Sequence, residues 1–192
     1  MKLLLLRVAL LVRCAINVVF ACYLVAVGPA SIPALARAFL PYAAADGVVA
    51  LGLAVLVLWV GWHAGVAMVA LIDGLIRVFA ALVLWFGPGT PEFPVTAVLY
   101  IATLATLGFA LGVFELGEAR RLRREIGRNP VSVALVVAGN ATIVLAAFAF
   151  FAIPRAGLSR NLLVVGAVIE AAALLVTMIG AGRPQRNRLQ SP

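Results

Sequence analysis

Asp73 and Arg77 lie four residues apart inside the apolar run ALIDGLIRVFAALVLWFGPG, Ala70–Gly89, a spacing that puts an acid and a base on one face of a helix. In hydrocarbon an isolated charge at a helix centre costs about 2.5 to 3.5 kcal/mol even on the lenient insertion scale, so the two groups must face each other or protein. The chemistry open to such a pair is ion or proton handling in a low-dielectric interior. Polar residues recur in the middle of the other apolar runs: Asn17, Asp46, Thr103 and Thr106, Asn140, and Glu170. The candidate intramembrane site is Asn17, Asp46, Asp73, Arg77, Asn140 and Glu170. It has two readings: a central polar pathway or ion site, or glue between helices, worth roughly 0.6 to 2 kcal/mol per contact.

Asp73 has Arg77 beside it, whereas Asp46 and Glu170 have no cation on their own helix face. One of these two is expected to change protonation as the surroundings acidify, with Arg13 and Arg37 as alternative partners for them. Glu92, Glu115 and Glu118 are expected to face water at helix ends and show no metal-ligand clustering. There is no phosphate-binding glycine loop, no H-E-x-x-H, no C-x-x-C and no serine in a nucleophile elbow, so neither catalysis nor a cofactor nor a metal centre is expected. Cys14 and Cys22 fall on one helix about 12 Å apart along its axis, too far to bond there, and read as small buried residues.

The elements that must position these residues follow from composition. The chain has 192 residues, is 65% hydrophobic and has a mean hydropathy of +1.17, too little polar surface for a soluble domain of this size. Apolar runs of bilayer length predict an all-α polytopic membrane protein with six transmembrane helices as three repeated helical hairpins. The spans fall at about 8–27, 35–59, 65–86, 94–116, 131–153 and 161–179, forming one domain over 1–182 with a polar cytoplasmic tail, 183–192. Pro29, Pro88 and Pro154 each end an odd-numbered helix, so the hairpins share one orientation and an axis along the membrane normal. The N-terminal run is expected to be a first span, since Arg7 and Arg13 interrupt it and it continues to Val27.

A net charge of +8 with a pI near 11.0 points to topology, because the basic residues gather at run ends. No nucleic-acid partner is expected. Eleven of the fifteen (Lys2, Arg7, Arg13, Arg120, Arg121, Arg123, Arg124, Arg128, Arg183, Arg186 and Arg188) fall on one side, against Arg37, Arg155 and Arg160 on the other. Both termini are therefore expected to be cytoplasmic in a bacterial inner membrane. Arg120, Arg121, Arg123, Arg124 and Arg128 read as a topology anchor that also suits anionic lipid head groups, at about 1 kcal/mol per basic residue. His63, directly after Trp62 and close to Trp59, reads as an interfacial belt residue. Gly108 and Gly112 form a G-x-x-x-G that packs either within the monomer or in a homo-oligomer.

With these features in place, the chain resembles the HdeD-like family of small bacterial membrane proteins. The resemblance rests on Pro29, Gly87-Pro88 and Pro154, on Tyr42-Ala-Ala-Ala-Asp46-Gly47, on Asp73-Gly74, and on Gly112-Val-Phe-Glu115 leading into Arg120-Arg-Leu-Arg-Arg-Glu-Ile126. It extends from Leu10 to Gly182 and departs from the family pattern in the third repeat, which lacks an Asp-Gly and has Glu170 nearby, and where Ile153-Pro154-Arg155 replaces a glycine-flanked proline. It implies six helices in three hairpins and, for the member that names the family, a part in acid survival. It implies no reaction or substrate. The functional expectation is a contribution to acid or envelope stress tolerance through a protonatable bundle interior, with a small proton-coupled transporter or channel and a membrane scaffold for another protein as alternatives.

Overall fold

The computed structural model describes residues 2–62, 64–86, 94–152 and 155–180, apart from the side chains at 86, 94–104, 126 and 150–152. These residues form six α-helices: α1 (Lys2–Val27), α2 (Ile32–Val60), α3 (Ala64–Phe86), α4 (Pro94–Ile126), α5 (Pro130–Ala152) and α6 (Ala156–Gly180). Five of them, all but α4, are long and apolar enough among the described residues to cross a membrane. Their outward faces carry large apolar side chains such as Leu4, Val19, Val25, Val55 and Trp85, a surface that suits lipid. The chain is a multi-pass, all-helical membrane protein.

Local chemistry sets the helix ends. Ser31 caps α2, its Oγ accepting from Ala34 N at 3.3 Å, which satisfies one of the free N–H groups of a first turn. Gly61 closes α2 with φ 72°, its N–H donating to Leu58 O, a left-handed position that glycine takes without strain. The helix α1 begins at Lys2, not near Val8 as expected. Lys2 Nζ sits 4.8 Å from the Trp59 ring and so pins the start of α1 to the end of α2. Helix α4 runs unbroken through the basic segment to Ile126. The expectations for His63, Gly87-Pro88, Glu92, Pro154 and the tail fall outside the described residues.

The helices form a closed ring, each packing on its neighbours in sequence and α1 closing on α6. Among the described residues the most extensive packing is α4 on α5, α2 on α3 and α1 on α6, which joins the expected hairpins rather than lying within them. Glycine sets two of these crossings. A Cβ at Gly74 would stand 2.9 Å from the Gly47 carbonyl oxygen, and Cβ atoms at Gly112 and Gly139 would stand 2.7 and 2.8 Å from each other's carbonyl oxygens. Backbones can approach this closely only where side chains are absent. Gly47 and Gly112, and Gly74 and Gly139, are each 65 residues apart, so one crossing recurs along the chain.

Two apolar clusters fill the ring at different depths. One gathers Leu6, Leu10, Val57, Leu122 and Leu174, and the other Phe20, Leu24, Phe39, Tyr42 and Ala80. The charged residues of the interior lie in the layer between them. Cys14 is buried, its thiol donating to Ala171 O at 3.6 Å, whereas Cys22 is exposed: Val18, Val19, Cys22 and Tyr23 share the outward face of α1.

Candidate functional site: a buried charge cluster

Three helices each present a polar pair at i,i+4: Arg13 with Asn17 on α1, Tyr42 with Asp46 on α2, and Asp73 with Arg77 on α3. This spacing keeps both members of each pair on one helix face, and the ring turns all three faces inward. Glu170 joins them from α6. Asn17 and Asp46 have no exposed surface, and Arg13 and Asp73 are each 5% exposed.

Arg13 is the hub. Its Nε donates to Asp46 Oδ1 and Oδ2 at 3.1 and 3.2 Å, and its Nη2 donates to Asp46 Oδ2 at 3.0 Å, to Glu170 Oε1 at 2.7 Å and to Asp73 Oδ2. Arg77 closes the other side, with Nε 2.9 Å from Asp73 Oδ1 and 3.0 Å from Asp46 Oδ2, and with Nη2 on Glu170 Oε2. The expected pairing of Asp73 with Arg77 is present, and Asp46 and Glu170 find their cations on other helices.

Neutral groups orient the charges. Arg77 Nη1 donates to the Tyr42 hydroxyl at 2.7 Å, and that hydroxyl donates to Asn17 Oδ1 at 2.8 Å. Asn17 Nδ2 then donates to Asp46 Oδ1 at 3.3 Å and to the Arg13 carbonyl at 3.0 Å. Phe20 stacks on the Tyr42 ring at 3.9 Å and 7°, holding the hydroxyl in place from the apolar side. Each hydrogen-bonding atom of the Asn17 amide group thus has a partner, as a buried amide requires.

The arrangement holds three carboxylates against two guanidiniums. Arg13 Nη2 has two hydrogens and faces oxygens of three acids, so acceptors outnumber donors at the centre. Asp46, Asp73 and Glu170 bring oxygens within 4.8 Å of one another, a separation at which carboxylates can share a metal ion. The guanidiniums already supply the counter-charge between them, and a divalent ion would have to displace those ion pairs.

The cluster forms part of the wall of a cavity of about 320 Å³, lined from every helix. The lining reaches from Ile32 and Ser159, near the starts of α2 and α6, to Glu115 and Thr177 towards the opposite ends of α4 and α6. Arg13, Asp73, Arg77 and Glu170 face it midway along.

Of the expected site residues, Asn17, Asp46, Asp73, Arg77 and Glu170 converge. Asn140 does not: it is exposed, its Nδ2 donating to Val136 O one turn back on α5 at 2.7 Å, so its own helix satisfies it. Thr106 is exposed as well, and the side chain of Thr103 lies outside the described residues. Arg13 is not a topology anchor. It is buried inside the ring, held by carboxylates of α2, α3 and α6.

Glu115 and Glu118 do not face water at a helix end. Because α4 continues three turns further, Glu115 falls on the inward stripe of Leu111, Ala119 and Leu122 and is 9% exposed. Glu118 packs against Gly65 of α3. Arg120, Arg121, Arg123, Arg124 and Arg128 are exposed as expected. Of the two alternative cations, Arg13 reaches both Asp46 and Glu170, whereas Arg37 is exposed. Tyr42 is the site residue that the sequence reading passed over, and its i,i+4 spacing from Asp46 was the signal for it.

No protein-family model, curated protein or solved structure matches the chain.

Proposed function

We propose that this protein is a non-enzymatic, HdeD-like membrane protein whose central charge cluster takes up and releases a proton against the bundle cavity, contributing in this way to acid or envelope stress tolerance. The observation that carries the reading is the imbalance of three carboxylates on two guanidiniums in a buried layer bordering the cavity. Such a cluster is electroneutral with one proton bound, and a low-dielectric interior favours neutrality. Intramembrane ionisable groups placed this way are suited to proton relays.

The same cavity favours a second reading, a small proton-coupled transporter, since a space of about 320 Å³ reaching towards both ends of the bundle exceeds what a structural ion-pair network needs. The glycine crossing of α2 on α3 recurs at α4 on α5, 65 residues on, and so supports a repeat of one orientation among the three hairpins read from the sequence. With Arg13 inside the bundle, Lys2, Arg7 and the α4 arginines still outweigh Arg37, Arg155 and Arg160, a bias that supports a bacterial inner-membrane protein with both termini on the cytoplasmic side.

The test is growth of a deletion strain after acid challenge, complemented with the wild-type chain or with Asp73→Asn. Rescue by the wild type alone supports the reading. Equal rescue by both, or by neither at matched membrane levels, counts against it.

A further inference from the structure

We infer that the cavity binds a small monovalent organic cation with an apolar body, its charge held by Glu115 in competition with a proton. This deepens the reading above by naming the ligand, and it rests on that reading only for the link between binding and protonation.

Glu115 lines the cavity and is 9% exposed, and its Oε2 has no hydrogen-bond partner among the described residues. An unpartnered buried oxygen of this kind is costly unless a proton or a cation meets it. The ionisable groups sharing the cavity wall are Arg13 from α1, Tyr42 from α2, Asp73 and Arg77 from α3, and Glu170 from α6, with Asp46 behind them. Helix α5 brings no ionisable residue, and Glu118 is the nearest acid on α4 itself. Both arginines are engaged by the cluster carboxylates, so neither is released to neutralise Glu115.

The rest of the wall is apolar, with residues such as Ala105, Leu111, Ala138 and Leu145. An anion would meet only engaged cations and an excess of acids. A bare alkali ion needs several oxygen ligands, and the carboxylates that stand close together, Asp46, Asp73 and Glu170, are already held by Arg13 and Arg77. A quaternary ammonium with an aromatic or alkyl body needs one carboxylate and an apolar wall; Phe20, Phe39 and Tyr42 line the far part of the cavity, on the side of the ligand's body. The volume of about 320 Å³ lies in the range of small-molecule sites.

The experiment is calorimetric titration of the full chain in lipid nanodiscs with benzyltrimethylammonium, benzyl alcohol and benzenesulfonate, at neutral and acidic pH. The cation alone should bind at neutral pH, and its affinity should fall as the pH is lowered. Glu115→Gln should weaken it by about tenfold or more. Ala138→Phe, which fills the cavity and leaves every charge in place, should weaken it as well, so the proposal stays testable if Glu115→Gln does not fold. Equal binding of all three probes, pH-independent binding of the cation, or undiminished binding by either folded variant overturns the proposal. Binding without any effect on acid survival would count against the functional reading and leave the ligand site standing; acid rescue without binding would do the reverse.

Discussion

Arg13 on α1 grips Asp46 on α2 through two nitrogens, Nε at 3.1 Å and Nη2 at 3.0 Å, with the acid wholly buried and the base nearly so. The contact joins residues 33 positions apart and makes the first two helices one electrostatic unit, to which α3 and α6 add Asp73, Arg77 and Glu170.

Arg13→Met removes one of the two cations and leaves the buried Asp46 and Asp73 and the half-buried Glu170 on Arg77 alone. Breaking a buried pair from one side costs about 3 to 5 kcal/mol, so the variant should unfold at markedly lower temperature or denaturant in detergent. Adding Asp46→Asn to it should restore part of the loss, because the second change removes the orphaned charge. A full loss in the double variant would show that Arg13 acts through packing rather than charge.

The two glycines of the α4 G-x-x-x-G should differ in tolerance. A Cβ at Gly112 would meet the Gly139 carbonyl at 2.7 Å, while one at Gly108 would meet nothing closer than Ala146 Cβ at 3.6 Å. Gly112→Ala should therefore cost about 1 to 3 kcal/mol through overpacking, and Gly108→Ala should be neutral. Thermal unfolding of the purified variants reads the difference, and equal effects would contradict the crossing geometry.

Tyr42→Phe deletes the hydroxyl that bridges Arg77 and Asn17 while keeping the ring on Phe20. The Asn17 oxygen then loses its donor inside the bundle, at about 1 to 3 kcal/mol. The same measurement should show a loss smaller than that of Arg13→Met. A neutral substitution would mean that the hydroxyl does not order the cluster.

Much of the helical layout was legible because hydropathy reports directly on the length of an apolar span. The helix ends were less so: Lys2, Arg7 and Glu118 extend helices beyond the apolar runs, because an α-helix satisfies its backbone whether or not its side chains are greasy. The site was legible where a charge interrupts an apolar run, as at Asp46, Asp73, Arg77 and Glu170. At Arg13 two roles stayed open, a partner for these acids and a share in the positive-inside bias, because a basic residue near the N-terminus serves either. Only its burial against three carboxylates separates them. Asn140 misled for the opposite reason: a mid-span amide can bond to its own helix and needs no partner across the bundle. Glu115 was obscured by the arginines that follow it, which mark the membrane surface without ending the helix.

The central claim is that Asp46, Asp73 and Glu170 share a proton that exchanges with the cavity. Infrared difference spectroscopy of the protein in lipid, between neutral and acidic pH, reads the carbonyl stretch of a protonated carboxyl directly. The account predicts a carboxyl band that changes with pH in the wild type and is lost or displaced in Glu170→Gln and in Asp73→Asn. A wild-type spectrum without a pH-dependent carboxyl band, or one that both variants leave unaltered, would contradict it.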